Sequence, residues 1–226
     1  MNIDLLTKCE CNCVFCDKQT VKGVESINEL KDILEDFNES IIFLGGQEPF
    51  NFKDLDLLIA FLKNKAPDSK IIIKSSGCFD YKKLPRVLFE KIEIIELPLY
   101  SCSSEIHNKI MGNNQAWELL FAFVDFLKEN NLQNKILFHT MVLKDNFKEL
   151  FAIYDFVLDN LPDQQYFKII YPLKNISKIE YEKIIVPQDL VIKQLFADFP
   201  EDILQNKIEL INFQPSKEQI KFRNVL

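Results

Sequence analysis

Short apolar runs alternate with amphipathic segments along most of the chain. Segments 41–46, 70–77, 92–100, 135–143 and 166–173 are isoleucine-rich stretches of strand length. They read as buried strands, and a first strand is expected at 2–6, before the first cysteine. Between them lie helical patterns. In 26–37, Ser26 and Glu29 have capping-box spacing, and Ile27, Leu30, Leu34 and Phe37 share one helical face. Further helices are predicted at 52–64, 116–130 and 146–160, the last opened by Asn146 three residues before Glu149. Such alternation predicts an α/β fold: a parallel sheet with helices outside it, as a barrel or a doubly wound sheet. After residue 173 the rhythm breaks, leaving a helix near 188–198 and a strand-like run at 208–213.

Composition narrows the class. A chain of 226 residues is long enough to bury a full core, and 47% hydrophobic with 27% charged residues is ordinary for a globular protein. Twenty Phe and only five Gly imply a dense interior with few tight turns. No apolar stretch reaches the roughly 18 residues a membrane span needs. The start, MNIDLLTKCE, lacks a basic opening and a long apolar run, so a cytoplasmic protein without a signal peptide is expected. A net charge of −7 and a pI near 5.0 disfavour a broad nucleic-acid-binding surface.

Four of the six cysteines fall within eight residues, Cys9, Cys11, Cys13 and Cys16. In a reducing compartment such a group binds metal or does chemistry rather than forming disulfides. It follows the first expected strand directly, at the end where α/β folds put their chemistry. Three readings compete. A zinc site usually draws on two separated pairs, but Cys78 and Cys102 stand far off and singly. A redox pair, Cys13 and Cys16, leaves Cys9 unexplained. An iron–sulfur cluster takes several thiolates from one loop.

Cys9, Cys13 and Cys16 form the pattern C-x3-C-x2-C, with the aromatic Phe15 before the last cysteine. This resembles the radical S-adenosylmethionine (SAM) superfamily. The resemblance implies a 4Fe–4S cluster held by Cys9, Cys13 and Cys16, with a fourth iron left open to chelate SAM. Cys11 is then a spare thiol. The stretch FLGGQEPF resembles the family's Gly-Gly-Glu loop after the second strand, through Gly45, Gly46, Glu48 and Pro49, with Gln47 as an extra-looking residue. Glycine would let SAM's ammonium meet the backbone, and the carboxylate would accept from it.

The likeness extends loosely over 1–173 and implies a partial (β/α)6 TIM-type barrel, with 174–226 as a C-terminal extension. Ser76 in KSSG and Ser101 after the fourth strand are implied cofactor contacts, Ser101 at the SAM ribose. Val142 would flank the adenine. His107 is read as a helix-start residue or a substrate contact, and His139 as a core histidine or a ligand. The implied activity is reductive cleavage of SAM to a 5′-deoxyadenosyl radical, which abstracts hydrogen from a peptide, nucleoside or metabolite. It implies apolar barrel walls and a low-potential reductant of flavodoxin or ferredoxin type. An iron–sulfur electron carrier or assembly factor with a degenerate SAM site is the alternative. Cys102, one strand across from the SAM end, is a candidate hydrogen donor.

Overall fold

Strand-forming isoleucine runs become seven parallel strands in one sheet, ordered as they occur in the chain. They are β1 (Asn2–Leu5), β2 (Ile41–Gly46), β3 (Lys70–Lys74), β4 (Ile94–Pro98), β5 (Ile136–Met141), β6 (Phe167–Ile170) and β7 (Ile208–Ile211). The computed structural model describes residues 1–16, 23–33, 39–161, 167–172 and 178–213. Leu34 and Phe37, expected on the first helix face, and Tyr166 and Leu173, expected at strand ends, lie outside these. Among the described residues β1 and β7 do not pair, so the expected partial barrel is open on one side. Its seventh strand comes from the extension after residue 173 and pairs in parallel with β6.

The helices are α1 (Ile27–Ile33), α2 (Leu55–Lys65), α3 (Arg86–Glu90), α4 (Ser104–Met111), α5 (Ala116–Glu129), α6 (Leu150–Asn160), α7 (Lys178–Ile184), α8 (Gln188–Asp198) and α9 (Glu201–Asn206). Side chains alternate along each strand. Ile42 and Leu44, Ile71 and Ile73, Ile95 and Leu97, Phe138 and Ile169 turn to one face and join a continuous core with the helices. Phe50, Phe79, Phe89 and Phe123 interlock there, with ring centroids 4.5 Å apart for Phe50 and Phe79 and 4.9 Å for Phe79 and Phe123. This cluster anchors the turn after β2.

The opposite face does not match the expectation of apolar walls. Asp4 pairs with Gly45 and Lys74 with Glu96, while Pro98, His139, Lys168 and Glu209 form a second row across β4 to β7. The inner wall therefore carries charge. Runs such as KIIIK and FKII read as buried strands, but their period of two puts only Ile71, Ile73, Phe167 and Ile169 on the core face, leaving Lys74 and Lys168 on the inner one with Ile72 and Ile170.

Two expected caps also differ. Ser26 donates its hydroxyl to Glu29 at 2.9 Å, and the Glu29 carboxylate reaches back to the Glu25 N–H rather than to that of Ser26. Asn146 does not start α6, which begins four residues later at Leu150. Its carboxamide instead accepts from the Leu143 N–H and donates to the Tyr100 and Met141 carbonyls. A buried Asn thus ties the loops after β4 and β5 together.

Candidate active site

The loop after β1 carries the cysteines and is held from two sides. On one, Thr7 donates its hydroxyl to the Glu48 carbonyl at 2.7 Å and accepts from the Glu48 N–H at 3.0 Å. Asn51 adds a bond to the Lys8 carbonyl at 2.6 Å. The cysteine loop and the glycine loop are therefore fixed to each other. On the other side stands the end of α4. Carbonyls in a helix's last turn lack partners within the helix. Here Asn12 N–H takes the Met111 carbonyl and Val14 N–H takes that of Ile110, both at 3.0 Å. Gly112 ends the helix at φ +60°, and a Cβ there would lie 2.1 Å from the Asn12 carbonyl oxygen. Only glycine lets the two backbones meet so closely.

The thiols cluster beneath this loop. Cys11 and Cys78 are buried, Cys9 and Cys13 half-buried, and Cys16 exposed. Cys11 is the hub: Cys13, Cys78, Cys9 and Ser76 all lie close enough to it to favour its thiolate. Hydrogen bonding to Cys11, then burial, raises the pKa of Cys9, Cys13 and Cys78 above that of an ordinary thiol. Cys11, accepting from them, is held below it. A second thiolate beside a first is disfavoured unless a cation offsets its charge. Among the described residues, no three metal-ligating side chains converge on a single ion position. Phe15 meets Tyr100 edge-on at 5.4 Å, and Cys13 Sγ lies 3.8 Å from Met111 Sδ.

The glycine loop divides its two glycines by role. Gly46 has φ +100°, and a Cβ there would sit 2.5 Å from the Leu5 carbonyl oxygen. Its need for glycine comes from the β1 backbone. A Cβ on Gly45 would meet only Asp4 Oδ1, at 3.5 Å, so Gly45 borders open space. Glu48 is fully buried. Its carboxylate accepts from Phe50 N–H, from the Ser75 hydroxyl, and from the Ser76 N–H (2.8 Å) and hydroxyl. It pins the turn after β3 to that after β2. Burial raises its pKa despite these bonds, and among the described residues it has no cationic partner.

Other expected residues lie elsewhere. The Ser101 hydroxyl donates to Glu149, at the start of α6, at 2.8 Å and accepts from the Ser103 N–H, so it links its loop to that helix. Val142 is buried in the core behind the sheet, and Met141 holds the inward position. Cys102 packs on that outer core and donates to the Ala152 carbonyl, its pKa pushed up to about 11 by burial. It does not share the pocket of Cys78. Tyr100, which the sequence reading missed, continues the inward alternation of Glu96 and Pro98, and that period was a usable signal.

His107 is fully buried. Its Nδ1 accepts from the Tyr100 N–H at 3.3 Å, so from within α4 it holds the loop after β4 rather than the start of its helix. Burial lowers its pKa to about 4. An unfolded histidine titrates near 6.5, so between these values the unfolded state binds the extra proton and stability falls as pH falls. The expected loss from this residue between pH 7 and 4 is about 3 kcal/mol. Urea unfolding of His107→Gln and wild type across that range checks it: the wild-type curve should be the steeper.

The family model described as the radical SAM superfamily matches residues 3–157. The chain belongs to the radical SAM superfamily. Similar solved structures include SuiB of Streptococcus suis bound to its precursor peptide SuiA, at TM-score 0.66 and 14% identity, covering 98% of this chain and 50% of that one. Another is anSMEcpe with bound AdoMet and the Kp18Cys peptide, at TM-score 0.69 and 17% identity, covering 92% and 63%. The radical SAM enzyme HemN, a coproporphyrinogen III oxidase from Escherichia coli, gives TM-score 0.55 and 14% identity, covering 90% and 56%. At such identities the likeness is one of fold. The chain spans about half the length of the SuiB structures it matches. Curated protein sequences give no match. Among the described residues, no helix is long and apolar enough to cross a membrane.

Proposed function

We propose that Cys9, Cys13 and Cys16 hold a 4Fe–4S cluster, and that SAM lies against Gly45, Gly46, Glu48 and Ser76 at the same mouth of the barrel. The observation that carries this reading is the reciprocal Thr7–Glu48 pair, which locks the thiol loop to the glycine loop. The fit is chemical as well. Thiols crowded at one pocket can exchange their protons for iron. Glu48 is a buried carboxylate without a cationic partner among the described residues, and it favours an ammonium nearby. When bound, cluster and SAM together supply a one-electron cleavage of SAM and a 5′-deoxyadenosyl radical that removes hydrogen from substrate.

This chain's residues do the rest. Thr7 and the end of α4 fix the thiol loop. Gly45 leaves space for the methionine end of SAM, and Ser75 and Ser76 keep the Glu48 carboxylate oriented. Phe15 and Tyr100 cover the thiols and exclude water. Cys16 is exposed, so a low-potential donor of flavodoxin or ferredoxin type would deliver its electron on that side. The test is anaerobic reconstitution with iron and sulfide, reduction, and assay of methionine and 5′-deoxyadenosine. Equimolar release of the two supports the reading. A brown protein that never consumes SAM would instead be an electron carrier.

A further inference from the structure

The inner wall holds charges that neither the thiols nor the glycine loop uses. Lys74, Glu96, Lys168 and Glu209 form a chain of alternating sign across β3, β4, β6 and β7. Its middle is tight: Glu96 is 1% exposed and hydrogen-bonds Lys168, whose side chain is 15% exposed. Its ends are loose. Lys74 is 53% exposed and stands 3.5 Å from Glu96; Glu209 is 52% exposed and stands 3.8 Å from Lys168. Both end contacts are longer than a good hydrogen bond, so most donors of Lys74 and acceptors of Glu209 remain available. The Phe43 ring, 5.9 Å from Lys74 Nζ, braces the cation. Between the ends sits His139, whose Nδ1 is buried without a hydrogen-bond partner among the described residues.

Stability does not account for this arrangement. Taking charges out of water costs more than their pairing commonly returns, and apolar side chains of similar size would serve a barrel wall as well. Buried, mutually fixed charges in a concave site are instead what polar recognition requires. The signs decide the ligand. A dianion would meet Glu209 as well as Lys74, and a dication would meet Lys74 as well as Glu209. A molecule bearing one of each closes the open chain into a ring.

Building on the proposed function, we infer that this wall recognises a zwitterionic substrate, with its anionic group on Lys74, its cationic group on Glu209 and a neutral contact from His139. Burial lowers the pKa of His139 to about 4, so near neutrality it offers a hydrogen bond without adding charge.

SAM is itself a zwitterion, so the test keeps its site filled. Reconstituted protein saturated with SAM is titrated, by ligand-observed NMR, with ω-amino acids from glycine to 6-aminohexanoate, with the dianion glutarate and with the dication cadaverine. One ω-amino acid is expected to bind at least about tenfold more tightly than glutarate and cadaverine. Lys74→Met and Glu209→Gln should each abolish that preference, while SAM affinity, measured separately, stays within about twofold. Equal binding of all probes, or binding of none, overturns the inference. So does a parallel loss of SAM affinity in Lys74→Met, which would assign the wall to SAM. Probe binding is read without turnover, so failure of SAM cleavage in the same preparation sinks the proposed function and leaves this result readable.

Discussion

Cys13→Ala protein, reconstituted anaerobically, is expected to lose its cluster and with it all SAM cleavage, and Cys9→Ala and Cys16→Ala should do the same. Each thiolate would hold one iron, and the neighbouring thiols of Cys11 and Cys78 sit deeper in the pocket, Cys11 1% and Cys78 0% exposed. That loop is constrained: Asn12 and Val14 are bonded to the end of α4, and Thr7 to Glu48. Cys11→Ala should keep both cluster and cleavage, although Cys11 is the hub of the thiol contacts. Cys78→Ala is the sharper control, because Cys78 comes from the turn after β3 and reaches the same pocket. Iron and sulfide content, with assay of 5′-deoxyadenosine, reads all five variants. Loss of the cluster in Cys11→Ala or Cys78→Ala, with its retention in Cys9→Ala, would replace the ligand set.

Much of this was legible because its causes are local. Isoleucine runs of strand length set between amphipathic helices imply a parallel sheet whatever the details, and β2 and β5 fell where the pattern put them. The spacing of Cys9, Cys13 and Cys16 is likewise a property of one short segment. What could not be read depends on partners distant in sequence. The chain gives no local sign that Gly112, about 100 residues later, is the floor of the cysteine loop, because the requirement arises from the Asn12 backbone. Ser101 looked like a ribose contact by position, yet Glu149, from the start of α6, takes its hydroxyl.

The charged inner wall was missed for a different reason. Lys74, Glu96, Lys168 and Glu209 flank or interrupt apolar runs, and a run bounded by charges reads equally as a strand with polar ends. Register decides between the two. Lys74 opposite Glu96, and Lys168 opposite Glu209, put all four on one face. A period-two reading that carried the alternation through the charged positions would have found them.

The two glycines of the loop after β2 should fail in opposite ways. Gly46→Val should unfold the protein or cost it more than about 4 kcal/mol, well beyond an ordinary substitution. Its φ is +100°, where side chains are strained, and its Cβ would lie 2.5 Å from the Leu5 carbonyl oxygen and 2.7 Å from the Leu5 nitrogen. Both atoms belong to β1, which cannot yield without breaking its pairing with β2. Gly45→Val should be tolerated. Its Cβ would touch only Asp4 Oδ1 at 3.5 Å, and a β-branched residue suits a strand. What Gly45→Val fills is the space assigned to the methionine end of SAM. Loss of SAM affinity by tenfold or more, about 1.4 kcal/mol, is therefore expected with little change in thermal unfolding of the SAM-free protein. Gly45→Ala should fall between wild type and valine. If Gly45→Val bound SAM as tightly as wild type, SAM would not lie against this strand. If Gly46→Val kept wild-type stability, the Leu5 approach would not be what demands glycine there, and the ammonium-binding role implied by the sequence would return as its explanation.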